Sequence, residues 1–390
     1  MSKSSSTAQP TVRILARGDS ALPADVNDIL RFNLSNVNVS IANSIRRVIL
    51  SDIDTVVFKT SPHAENDATI FINTTRINNE LLCQRLSCIP VHLPPILDEI
   101  KNLILEVDVD NDSDTTILVT TEHFKIKDAV TNKYLSAADT TLIFPPNSLT
   151  GDFIEFVRLR PKMSDAITGE HIKLECPFSI WSADNDSMFN VAATCTYGRT
   201  QHVDNAKIAY AQQMAETEKM TDLTEEEKRI RLKNWQILDG KRIVVPDSFD
   251  FMIESIGVFS NEELVEKACD VLAAKLSAMR GVIESGDMKI TDSLTTMSNS
   301  FDIALENEGH TLGKILEFMM FSKFYRQNKL LSFCGFQLAH PHDPDSIIRV
   351  AYLDATTPTV AAGHMVECVD DLLGIYAKIK ADVRGVSAQR

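Results

Sequence analysis

Nowhere in the 390 residues does an apolar run approach the roughly 20 needed to cross a bilayer as a helix. The Ser-rich start, MSKSSSTAQP, has no apolar segment of the kind that directs secretion. Together these absences predict a soluble cytosolic or nuclear protein without membrane contact. Basic charge is also short: 39 Lys and Arg stand against 54 Asp and Glu, a formal net charge of −15. That excludes a uniformly basic nucleic-acid binder and leaves room only for a local basic patch. The seven cysteines are odd in number and irregular in spacing, so they set up no disulfide framework and read as small buried hydrophobes. There is no P-loop, no G-x-S-x-G and no H-E-x-x-H. The row Asp108, Asp110, Asp112 and Asp114 lacks the glycine and the bidentate glutamate of a calcium loop and reads as a turn. His340 and His342 around Pro341 have no third well-spaced ligand. No catalytic residue, cofactor or metal is expected.

What the chain does have is an amphipathic stretch, Asn38–Asp52, with Val39, Ile41, Ile45, Val48 and Ile49 at helical spacing and Asn38 placed as N-cap. Arg46 and Arg47 fall on its other face. By itself an arginine pair reads as a solvated helix surface. The segment Asn43, Ser44, Ile45, Arg46, Arg47, Val48, Ile49, Leu50, however, resembles the N-x-x-R-R-hydrophobic helix of the RNA polymerase α-subunit family. A second match, Glu80, Arg85, Leu86, Ile89 and Pro90, resembles that family's E-x-x-x-x-R-L-x-x-I-P segment. Much later, Glu306–Phe321 (ENEGHTLGKILEFMMF) is similar to the same helix in its G-H-T-L-G form. Setting Ser40 on Thr311 places Ile41 on Leu312, Ile45 on Leu316, Val48 on Met319 and Ile49 on Met320. Glu317 and Phe318 then stand where the first copy has its arginines.

The resemblance implies an α+β fold with two α-type dimerisation modules packed helix-on-helix in one chain, the first interrupted by a β-rich insert. The expected boundaries are a disordered tail over 1–10, a discontinuous first module over 11–55 and 236–283, the insert over 56–235, a linker over 284–299 and a smaller second module over 300–390. Strands are expected at Thr11–Ala16, Ile29–Leu34, Thr55–Lys59 and Thr69–Asn73. The insert reads as short strands at Ile104–Val109, Thr116–Thr120, Thr141–Phe144, Phe153–Leu159, Ile172–Ile180 and Asn190–Tyr197. Relatives often carry a cysteine cluster there; past Pro90 this chain has no C-x-x-C, so no structural metal is predicted. Thr224 with Glu227 and Ser260 with Glu263 fit capping boxes. The stripe of the helix after Ser260 includes Leu264 and Leu272, and Gly281 is the expected stop. In the last helix Met365, Val369, Leu372, Tyr376, Ile379 and Val383 make an a/d seam. The run Cys334–Pro341 resembles the signature of the small partner, the eleventh subunit of eukaryotic polymerase II or its archaeal counterpart.

In function the resemblance implies a fused counterpart of the third and eleventh subunits, as found in polymerases of large DNA viruses. For a viral chain the setting would be host cytoplasm or virion. It would be a non-catalytic assembly platform for transcription. Asn43, Arg46 and Arg47 would face the β-like large subunit, with a β′-like subunit and small subunits as further partners and DNA approached only through the complex. Dimerisation would rest on Ile41, Ile45, Val48, Ile49, Leu264, Leu272, Leu312, Leu316, Met319, Met320, Val369, Leu372, Tyr376 and Ile379. No homodimer is expected, because both halves are present. The alternative is a free-standing interaction module using the same helices.

Overall fold

The computed structural model describes residues 9–15, 29–164, 168–294 and 296–387. Residues 1–8 of the expected tail, and Ala16 of the first expected strand, lie outside it. In chain order, β1 (Thr11–Ile14) and β2 (Ile29–Ser35) lead into α1 (Val39–Ser51). The next stretch holds β3 (Thr55–Val57), β4 (Thr69–Asn73), α2 (Asn79–Ser87), α3 (Leu97–Ile100), β5 (Leu103–Asp110), β6 (Ile117–Thr120), β7 (Lys125–Asp128) and β8 (Lys133–Tyr134). It continues with α4 (Ala137–Ile143), β9 (Glu155–Leu159), β10 (His171–Pro177) and β11 (Ser179–Trp181). Then come β12 (Ala192–Gln201), α5 (Val203–Glu218), α6 (Glu225–Ile237), β13 (Val244–Ser255) and α7 (Asn261–Glu284). The last part is β14 (Ile290–Asp292), β15 (Ser300–Leu305), α8 (His310–Met320), β16 (Leu331–Gln337), β17 (Ser346–Tyr352) and α9 (Pro358–Ser387), with a π-helical segment Phe321–Gln327 after α8.

Two four-stranded antiparallel sheets carry the same plan. One has the order β1-β2-β13-β12 and the other β14-β15-β17-β16. In each, the two inner strands are followed by long helices: α1 and α7 after β2 and β13, α8 and α9 after β15 and β17. The strands bury alternate residues, as a sheet with one face on a core must. Leu30, Phe32 and Leu34 of β2 and Phe249, Phe251 and Ile253 of β13 point inward, and the cross-strand partners Phe32 and Phe251 stack with centroids 4.9 Å apart. All four helices and both sheets contribute to one continuous apolar cluster. A second cluster, including Phe58, Leu86, Leu105, Phe156 and Leu174, sits under the five-stranded sheet β4-β10-β5-β7-β8. There Arg85 of α2 donates to the backbone oxygens of Phe156 and Glu155 at 2.7 and 2.8 Å, tying α2 to β9.

Several elements depart from the sequence reading. Thr141–Phe144 lies largely in α4, because Ser136 caps the helix by accepting from the Asp139 amide, and this outweighs the β-branched residues. Ile172–Ile180 divides after Pro177 into β10 and β11, which join different sheets. Asn190–Tyr197, assigned to the insert, forms most of β12 and pairs along β13 in the first sheet. Helix α7 runs through Gly281 and stops at Gly286 (φ +81°), where the Gly286 amide bonds Ile283 O and the Asp287 amide bonds Val282 O. The expected linker over 284–299 contains β14, which pairs with β15 from Ile290↔Ile303 to Asp292↔Phe301. Asp108 sits on β5, held by His171 and Lys173 at 2.7 Å each, and Asn111 organises the turn beyond it.

Candidate functional site

Helix α1 is capped by Asn38, whose side chain accepts from the Ser40 amide at 2.9 Å. Ile41, Ala42, Ser44, Ile45, Val48 and Ile49 are buried. Val39, expected on the apolar face, is 40% exposed, because at helical spacing it falls beside Asn43 and Arg46 and opposite Val48. Asn43 and Arg46 are half-buried and Arg47 is exposed. Asn43 Oδ1 accepts from Arg46 Nε at 3.0 Å, an i, i+3 contact that orients the guanidinium. Burial pushes the Cys195 thiol of β12 up to about 12, against the opposing charge of Arg46, which lies over that strand. Arg47 points elsewhere: its Nε donates to Thr311 Oγ1 of α8 at 2.8 Å. Among the described residues neither guanidinium meets a carboxylate, so both keep donors for an outside acceptor. At the equivalent site on α8, Lys314 and Glu317 neutralise each other at 2.5 Å.

The remaining singled-out residues meet in the core. Leu264 and Leu272 of α7, Leu312, Leu316 and Met320 of α8, and Val369, Leu372, Tyr376 and Ile379 of α9 are all buried; Met319 is only partly so. Ser44 was not singled out by sequence, being polar within an apolar stripe. It is 1% exposed, donates to Ile41 O and shares a hydrogen bond of 2.7 Å with the Tyr376 hydroxyl. That bond joins α1 to α9. Along the flanks of α7 and α9, Arg280 pairs with Asp370 at 3.0 Å, Lys380 with Asp270 and Arg384 with Glu266. These partners run in opposite directions along the two helices, which makes the pair antiparallel.

The RNA polymerase Rpb3/Rpb11 dimerisation domain matches residues 31–276, from β2 through most of α7. The chain belongs to this family. Among its relatives, subunit 3B of DNA-directed RNA polymerases IV and V from Arabidopsis thaliana is 24% identical over 318 residues, covering 70% of this chain and 90% of the relative. Subunit RPAC1 of DNA-directed RNA polymerases I and III from Homo sapiens is 32% identical over 73 residues, 19% of each chain. The mouse RPAC1 is 31% identical over 75 residues.

In this Rpb3/Rpb11-type chain one ionic junction binds the end of α1 to the entry of α8. Lys275 of α7 pairs with Asp52, the C-cap of α1, at 2.9 Å and with Glu308 at 3.7 Å. Burial raises the pKa of Glu308 although Lys275 lies beside it. For Lys275 burial works against the charge, but the hydrogen bond and charges of Asp52 and Glu308 outweigh it and raise the pKa. No sequence pattern announced this cluster, whose members are distant in the chain. Among the described residues no group of three or more His, Cys, Asp or Glu is placed to hold a metal, and no helix is long and apolar enough to cross a membrane.

Proposed function

We propose that the chain is a non-catalytic assembly subunit of a multisubunit DNA-directed RNA polymerase, carrying in one polypeptide the two α-type units that other members supply as separate partners. The observation that carries this reading is the repeated plan of sheet and helices, with α1, α7, α8 and α9 in a single core. The family match and the first sheet account for one unit. The second sheet, from β14 onward, follows the same order of strands and helices beyond the end of that match. That the Arabidopsis subunit is covered over 90% by only 70% of this chain is in keeping with an added unit.

In this role the four-helix core is the intramolecular heterodimer, and the face of Asn43, Arg46 and Arg47, whose guanidiniums meet no carboxylate among the described residues, receives a β-like large subunit. Arginine suits such a face because its planar guanidinium offers a rigid fork to carboxylates. A β′-like subunit and small subunits complete the assembly, and DNA is met only through it. With the dimer interface satisfied internally, the chain alone is a monomer.

The test is affinity purification of the tagged chain from its native source, followed by a template-dependent nucleotide-incorporation assay. Two very large subunits in equal amount, with RNA synthesis, are expected. Replacing both Arg46 and Arg47 by Ala should leave the thermal midpoint of the chain near that of wild type while the β-like subunit is lost from the eluate. Recovery of that subunit at wild-type yield would refute the role of the arginines. A lone chain in the eluate would refute the assembly reading.

A further inference from the structure

The arm made by α5 and α6 takes no part in either apolar core. In α5 only Thr217 is buried and in α6 nothing is. The two helices hold each other, with the Tyr210 and Trp235 rings 5.8 Å apart, and rest on the sheet through Gln201 Nε2, which donates to Gly240 O at 3.1 Å. Helices of this length are marginal in water unless another surface covers their apolar residues. Large apolar side chains nevertheless remain outside: Ile230 is 48% exposed, Ile237 50% and Leu238 58%.

Charge on α6 is segregated. In its first turn Glu225 pairs with Lys228 at 2.9 Å, Glu226 pairs with Arg229 at 2.7 Å, and Glu227 closes the capping box with Thr224. The carboxylates are thereby used up. Lys228 and Arg229 are used up with them, and of the four cations from Arg231 to Arg242 only Arg242 meets a carboxylate, Asp239 at 3.1 Å, among the described residues, in a chain whose net charge is −15. Arg231, Lys233 and Lys241 are exposed and have no carboxylate partner among the described residues. Ile230, Lys233 and Ile237 fall at i, i+3 and i+7 and so share one face.

We propose that α6 docks an acidic, amphipathic helical segment of a separate protein along the stripe of Ile230 and Ile237, its carboxylates set on Lys233 at one flank of the stripe and on Arg231 at the other. Helix-on-helix docking with apolar anchors at three- and four-residue spacing fits such a stripe. A phosphate backbone would use the cations but leave the isoleucines in water, and the arm's large ring, Trp235, is engaged by Tyr210 instead of being offered to bases.

The test is zero-length carbodiimide cross-linking of the natively isolated material with mass spectrometry. Lys233 or Lys241 should be joined to Asp or Glu of a second polypeptide, within a segment whose apolar residues recur at helical spacing. The double variant Arg231→Glu, Lys233→Glu should lower recovery of that polypeptide at least about tenfold, without shifting the thermal midpoint of the chain. Cross-links confined to this chain would overturn the proposal. So would lysine protection that disappears on nuclease treatment, which would make the face a nucleic-acid contact. If large subunits co-purify while both lysines stay free, the docking proposal falls and the assembly role stands. A chain isolated alone removes both.

Discussion

Ser44 and Tyr376 show how a single polar pair can hold an otherwise apolar core in register. The Tyr376 hydroxyl is fully buried and meets Ser44 across α1 and α9. Tyr376→Phe removes that bond and leaves Ser44 still donating to Ile41 O, so a loss of about 1 kcal/mol in urea unfolding is expected. Glu308 acts in the other direction. Its folded-state pKa is raised by burial above the ordinary 4.5, so the folded chain holds this proton more tightly than the unfolded chain. The residue therefore costs stability above its folded pKa, and the cost fades as pH falls through the window down to the ordinary value. Glu308→Gln should raise the urea midpoint at neutral pH, with no gain left below the ordinary Glu pKa. At this scale the sequence was informative about apolar residues, because helical spacing fixes which side faces inward. Ile41, Ile45, Val48 and Ile49 are buried as the spacing predicts, whereas Ser44 and Lys275 depend on partners hundreds of residues away in sequence or on another helix.

Between elements, α8 approaches β16 closely. A Cβ added at Gly313 would lie 2.0 Å from the Phe336 ring, which also meets His310 edge-on at 5.0 Å. Gly313→Ala should destabilise the chain by about 1–3 kcal/mol, because the ring must swing out of its packing. Phe336→Ala in the same chain should recover part of that loss, measured by thermal unfolding. The second glycine of the G-H-T-L-G run, Gly313, is thus explained by helix-to-strand distance. Elements with strong local signals were legible: α1 and its Asn38 cap, the capping boxes at Thr224 and Ser260, β4, and the seam of α9. Strand partnership was not, because a ladder is a long-range choice: nothing within residues 192–201 announces that they pair with β13 and not with the insert. β14 was missed for a related reason, being three residues inside a polar run and given its strand character by β15.

At the scale of the whole molecule, two four-stranded sheets and four helices share one apolar core, and Ser285–Lys289 links its two halves between α7 and β14. The Gly286 turn ends α7 and sends the chain straight into the second sheet, so the connection has little freedom. A protease site placed within this segment should, after cleavage, yield two fragments that still co-elute in size exclusion, because the shared core and not the peptide link carries the association. Dissociation on cleavage would mean that the link itself holds the halves together. The same short connection has a bearing on supply. Separate partners must be synthesised in matched amounts, and any surplus is left with an uncovered apolar helix face that invites aggregation or mispairing. On the proposed reading of two paired units in one chain, one ribosome releases both in a ratio fixed at synthesis, so the stoichiometry of the pair is written into the reading frame and needs no control of expression to maintain it.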